Sequence, residues 1–213
     1  MNEAIDMPWG ASVFGAASVQ AAPDVARIRV SINESKEQPA EAFDAVRGAI
    51  TRVRQALRAH DISDTAVSIS QLNLKSVWRY VESQQVFAGY AGSASLAIEL
   101  DALGILESVL VDVVAAGAHE VDRVTFDVRA KSQLRAEARS AAVVAAREKA
   151  NQYATAAGAK LGPVVHIKDV DAEKLGAYRG HGQIAEPIGD GDLLPGNVSV
   201  SAGVVVGFAL IGA

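Results

Sequence analysis

The sequence predicts an α+β fold: a two-layer sandwich in which a mostly antiparallel sheet carries about three helices on one face. Three observations predict it. Segments that alternate apolar and polar residues interleave with three segments of helical period, in the order ββ-α-ββ-α-β-α-ββ. Short polar or Pro-Asp links join neighbouring strand segments, which favours antiparallel pairing. Three amphipathic helices need a sheet face to cover their apolar stripes.

The first segment is VFGAASVQAAPDVARIRVSI, residues 13–32. Ile28, Val30 and Ile32 alternate with Arg27, Arg29 and Ser31, the signature of a strand with one buried face. Pro23-Asp24 is turn chemistry, since Pro presets φ and Asp bonds the local backbone. The stretch therefore reads as a hairpin. Residues 39–60 follow as a helix, with Phe43, Val46, Ile50, Val53 and Leu57 in one stripe. Pro39 suits its first position, where a missing N–H costs nothing. Arg47, Arg54 and Arg58 read as a solvated flank.

Residues 66–81 form a long strand with a phase slip. Val67 and Ile69 share one parity, Leu72 and Leu74 the other, which places a β-bulge near Ser70-Gln71. The polar stretch 82–85 turns the chain into a second strand at 86–100, with Tyr90, Ala94, Leu96, Ile98 and Leu100 on one parity. Asp101 reads as an N-cap for a helix carrying Leu103, Leu106, Leu110, Val113 and Val114, and Gly117 ends that helix. Val124, Phe126 and Val128 mark a short strand. Residues 132–157 give a helix capped by Ser132. One face carries Leu134, Ala138, Ala141, Ala142, Ala145, Tyr153 and Ala156, with Lys149 snorkelling at its edge. Pro163–Val170 is a further strand, and 198–210 a closing one with Val198, Val200, Ala202, Val204, Val206, Phe208 and Leu210 on one parity. Between them, residues 174–197 hold six glycines and two prolines and read as an irregular loop. Residues 1–11 read as an N-terminal extension and 12–213 as a single domain.

Composition narrows the function. A net charge of −5 and a pI near 5.4 lack the basic footprint of a nucleic-acid binder. No apolar run has membrane-spanning length, so no membrane span is expected. With no cysteine, disulfides, thiolate catalysis and Cys-based zinc sites are excluded. The stretch MNEAIDMPWGAS has no basic start and no apolar run, so the expected location is cytoplasmic, or periplasmic if the chain was trimmed.

No catalytic motif emerges. None of His60, His119, His166 and His181 stands at helical spacing to another. GHGQIA, residues 180–185, matches a dinucleotide fingerprint in letters only, since no strand enters it and no helix leaves it. Asp190 and Asp192 lack the further oxygen ligands that a calcium loop needs. The expectation is therefore no catalytic residue, no cofactor and no metal. Trp78 and Tyr80 read as core packing or, with the bulge tilting them outward, as a contact patch.

Together four stretches resemble one family. They are VFGAASVQAAPDVARIRVSI, FAGYAGSASLAIELDAL at 87–103, ARSAAVVAAREKANQYATAAGAKLGPVVHI at 138–167, and VSVSAGVVVGFAL at 198–210. In order and spacing they look like the SIMPL domain family. Where the family often has Gly-Glu-Gly in the first strand, this chain has Gly15-Ala16-Ala17. The resemblance implies a domain without established enzymatic activity that tends to self-associate. It further implies bacterial relatives in the envelope, some immunogenic and some linked to oxidative-stress defence, and animal relatives that act as signalling adaptors. The expected function is thus a non-enzymatic, self-assembling protein with no nucleic-acid partner. The alternative is a small-ligand binder or enzyme whose pocket is closed by the 174–197 loop, with Tyr178, His181 or Asp190 pointing inward.

The closing strand carries no charge and no proline between 198 and 211, which is hazardous at a sheet edge. Either it is central in its sheet, or a partner subunit covers it. The second reading places Val205 and Phe208, together with Trp78 and Tyr80, in a homo-oligomer interface.

Overall fold

The computed structural model describes residues 10–170 and 196–212. Seven strands and three α-helices are present among the described residues: β1 (Gly10–Ala21), β2 (Val25–Lys36), α1 (Pro39–Ala59), β3 (Val67–Val81), β4 (Gln84–Leu100), α2 (Leu106–Ala115), β5 (Glu120–Asp127), α3 (Lys131–Ala156), β6 (Lys160–Val170) and β7 (Val198–Ile211). All described strand pairs are antiparallel. The α+β sandwich expectation holds, with the strands divided between two sheets, ordered β1-β7-β6 and β3-β4-β2-β5. Two compact units result, one built by the described residues of Met1–Ala22 and Ala130–Ala213, the other by Pro23–Arg129.

The division corrects the first hairpin. β1 pairs with β7 over its whole length, whereas β2 pairs with β4 and β5. Pro23-Asp24 thus links strands of different sheets, and a local turn signal says nothing about which strand a segment will pair with.

In the unit of the chain ends, α3 lies on the three-stranded sheet. Ala138, Ala142, Ala146, Ala150 and Ala154 are its buried residues, one every fourth position. Side chains this small let the helix approach the sheet closely. A Cβ built on Gly15 of β1 would stand 2.1 Å from the Ala142 carbonyl oxygen and 2.7 Å from the Ala146 Cβ. Val13, Val204, Val206 and Phe208 complete this core. Phe208 is fully buried, with the Arg147 guanidinium 5.7 Å from its ring centre. Tyr153 is exposed, off the stripe assigned to it, and Ala141 and Ala156 are exposed as well. Ser132 lies inside the helix rather than at its cap, which is Ala130. Lys149 reaches the Phe14 carbonyl with its ammonium, 2.8 Å away.

In the Pro23–Arg129 unit, α1 and α2 cover one face of the four-stranded sheet. Val46, Ala49, Val53 and Leu57 meet Ile28, Val30 and Ile32 of β2 and Leu96, Ile98 and Leu100 of β4, with Val109 and Val113 from α2. Pro39 starts α1 as expected, but Phe43 is exposed and Ala42 takes its place in the stripe. The flanking arginines are ion-paired: Arg47 to Asp44 at 2.9 Å, Arg58 to Asp64 at 2.5 Å. Asp101 is not a cap. A 3-10 turn at Leu103–Ile105 precedes α2, whose N-cap is Ile105, and the Asp101 carboxylate instead accepts from Arg129. Gly117 ends the helical region with φ +118°, a conformation that side chains rarely adopt.

Candidate functional site

The β3–β4 hairpin is the most exposed apolar feature of its unit. Two bulges shape it. In β3 the pairing moves from Ile69 opposite Leu96 to Gln71 opposite Ser95, so Ser70 is the extra residue. That slip is the one the sequence announced. Its effect is to bring Val67, Ile69, Leu72 and Leu74 onto one face despite their different parities, because cross-strand partners share a face: Ile98, Leu96, Ala94 and Gly92. In β4 the second bulge lies at Ala88, between Gly89 opposite Val77 and Phe87 opposite Trp78. Gly89 takes φ +118° beside it, and a Cβ there would stand 2.6 Å from the Lys36 carbonyl oxygen. This slip brings Phe87 and Tyr90 to the same side. The rings of Trp78 and Phe87, and of Phe87 and Tyr90, meet edge to face at 5.3 Å and 71° in both cases. Glu82 and Ser83 close the hairpin, both at positive φ, as a two-residue turn requires.

One apolar face therefore runs from Leu100 to Phe87 on β4 and from Val67 to Tyr80 on β3. α1 and α2 cover only its first part. Leu100, Ile98, Leu96 and Ala94 are buried, as is Val67. Ala42 and Val46 of α1 stand against Gly92, and toward the hairpin turn the face lies open. Trp78 is 52% exposed, Tyr80 76% and Phe87 43%, with Ile69, Leu72 and Leu74 also exposed. A shallow groove runs between Leu74, Lys75, Ser76, Trp78, Phe87 and Tyr90. Trp78 and Tyr80 are therefore not core residues, which corrects the core-packing reading. Phe87 and Tyr90 join this patch through the Ala88 bulge, which leaves no mark in the alternation.

The remaining predicted positions fall elsewhere. Phe208 is buried beneath α3 and cannot meet a partner. Val205 is half-buried on β7, which is the central strand of its sheet rather than an edge. Uncharged β7 is thus explained by its own sheet, with β1 and β6 pairing both of its sides. Tyr178, His181 and Asp190 lie outside the described residues, as does the GHGQIA segment.

A polar cleft of about 470 Å³ lies at the other end of the same sheet, lined by His60, Ser63, Glu99, Asp101, Ile105 and Arg129 among others. Its charges answer one another. Arg129 donates to Asp101 at 3.0 Å and to Glu99 at 3.5 Å, and Arg27 donates to Glu99 at 3.1 Å and to Asp127 at 2.5 Å. These hydrogen bonds, with Asp101 the leading cause for Arg129 and Glu99 for Arg27, raise both guanidiniums above their ordinary value. His60 pairs with Asp112 at 2.7 Å. Among the described residues, no group of three or more His, Asp or Glu is placed to hold a metal ion. Arg129, Glu99 and Asp101 are thus paired with one another at this end of the sheet.

Antiparallel sheets backed by helices and extended by an open apolar hairpin define an α+β sandwich protein with an exposed apolar surface. The chain belongs to the SIMPL family: a family model described as "SIMPL: Protein of unknown function (DUF541)" matches residues 11–208. It is similar to "Uncharacterized protein YggE" of Escherichia coli K12, 26% identical over 168 residues, which cover 78% of this chain and 68% of that protein. It is also similar to the "26 kDa periplasmic immunogenic protein" of Brucella melitensis, 27% identical over 174 residues, 79% of this chain and 70% of that one. The latter name overturns the cytoplasmic expectation, since that relative is described as periplasmic. No helix of the described residues is long and apolar enough to cross a membrane.

Proposed function

We propose that this SIMPL-domain protein is non-enzymatic and works by self-assembly in the bacterial envelope, with the β3–β4 hairpin as its contact surface. One observation carries the reading: an apolar sheet face that its own helices cover only in part. A two-stranded ribbon is marginal in water by itself, and one carrying three open aromatic rings gains most from a partner. Mutual pairing of the charged groups in the cleft supports a non-catalytic role for that end of the sheet. The envelope location rests on the periplasmic name of the Brucella relative, and a role in stress defence rests on the family resemblance alone.

Light scattering after size-exclusion chromatography, over a hundredfold range of concentration, tests the assembly. A mass that is a multiple of 22.2 kDa is expected. A monomer throughout the range would refute the proposal. Osmotic-shock fractionation of the native host tests the location, with the protein expected in the shock fluid.

A further inference from the structure

We infer that two copies meet by packing the aromatic faces of their β3–β4 hairpins against each other, and not by adding strand to strand along the β3 edge; this rests on the self-assembly proposed above. The edge and the face of the hairpin carry opposite signals. β3 is an edge strand, hydrogen-bonded to β4 alone. Its edge shows two devices that oppose strand addition: a bulge within β3 at Ser70, and the cations Lys75 and Arg79. Two β3 edges brought together about a two-fold axis near Val77 would set Lys75 opposite Arg79 of the other copy.

The face shows the reverse. Ile69, Leu72, Leu74, Trp78, Tyr80 and Phe87 lie on it, and its charged groups, Glu34 opposite Gly92 and Lys36 opposite Tyr90, stand on β2 at its rim. Lys75 and Arg79 have the opposite strand parity from Leu74, Trp78 and Tyr80, so they stay on the far side when the aromatic faces meet. The area is sufficient. At ~150–250 Å² for a whole aromatic residue and about half of it open, three rings and three aliphatic side chains expose roughly 500 Å² per copy. Two such faces bury roughly 1,000 Å², the lower bound of a specific interface. Stacked sheets stand ~10 Å apart, a gap that side chains of this size fill. A lipid surface fits less well, because the tip that would enter it is Glu82, Ser83, Gln84 and Gln85.

Two variants and one spectroscopic reading test the inference. Trp78→Ser with Phe87→Ser removes the face; Gln71→Lys with Asn73→Lys adds charge along the edge strand on the opposite side, where both residues are exposed. The serine pair should weaken association by about a hundredfold or more, as loss of paired aromatic anchors does. The lysine pair should leave the dissociation constant within about threefold of the parent. The chain has two tryptophans, so in a Trp9→Phe background Trp78 reports alone, and its emission should move to shorter wavelength as the protein assembles. A folded serine pair that keeps the parent's mass overturns the inference. So does dissociation of the lysine pair, or a Trp78 emission that stays water-like in the assembled protein. A Trp78 shift on lipid vesicles at concentrations where the mass is monomeric would assign the face to a membrane instead. A monomeric parent refutes the self-assembly itself, which separates the two failures.

Discussion

Gly15→Ala adds one methyl group where the chain has no room for it. The ideal Cβ stands 2.1 Å from the Ala142 carbonyl oxygen and 2.7 Å from both the Ala146 nitrogen and its Cβ. These are mostly backbone atoms of α3, so no flexible side chain can swing aside; helix and strand must separate. Overpacking of a close-packed core costs about 1–3 kcal/mol, and a backbone obstacle puts this site at the upper end. The unfolded chain loses freedom when Gly becomes Ala, which returns at most ~1 kcal/mol. A net loss of about 2 kcal/mol follows, a fall of roughly 4–8 °C in Tm for a chain of this length. Gly48→Ala in α1 is the matched comparison, because its Cβ meets only the end of the Arg52 side chain, at 3.6 Å. There the helix gains up to about 1 kcal/mol from alanine. Thermal unfolding followed by circular dichroism reads both. If Gly15→Ala melts with the parent, β1 and α3 are not in the close contact described, and the argument for the alanine stripe fails with it.

Three further outcomes are expected. Ala146→Leu should destabilise by about 1–3 kcal/mol in urea unfolding, while Ala141→Leu, on the exposed side of the same helix, should stay within ~0.5 kcal/mol of the parent. Asp101→Ala should lose less than the ~1 kcal/mol a helix cap supplies, because Asp101 forms only an exposed ion pair; a full-sized loss would restore the cap. The third is a pH dependence. Hydrogen bonding from Arg58 holds the Asp64 carboxyl below its ordinary value. A carboxylate lowered in the folded state stabilises it above the unfolded value, and that stabilisation is lost as pH falls through the folded one. The urea midpoint of the parent should therefore exceed that of Asp64→Asn at pH 7, with the gap closing below about pH 4. A gap that stays constant down to pH 2 would remove the ion pair as its cause.

The candidate site was half legible. The Ser70 bulge shows in the sequence because the apolar residues on its two sides, Ile69 and Leu72, change parity. The Ala88 bulge does not, because FAGY has no alternation for a slip to interrupt, so the place of Phe87 beside Trp78 and Tyr90 stayed hidden. The cleft was hidden for a different reason. Arg27, Glu99, Asp101 and Arg129 are ordinary polar residues of a solvent-facing row or a loop, and only the pairing of β2 with β4 brings the first two together.

By itself the sequence determined what is local. Period two or near four fixes strand or helix, Pro39 and Gly117 bound the helical segments, and the positions of the apolar residues say which face is buried. Tertiary structure decided what depends on distant partners. Val13 and Val206 are neighbours in one sheet though 193 positions apart, and neither residue's surroundings in the chain name the other. The same pairing makes β7 central, which accounts for its lack of charge and turns Phe208 from a contact residue into core. It also chooses among the alanines of α3: several can share a helical face, but the row Ala138, Ala142, Ala146, Ala150 and Ala154 is buried, with Ala142 and Ala146 set against Gly15, since close packing is settled by the shape of the surface that arrives from elsewhere in the chain.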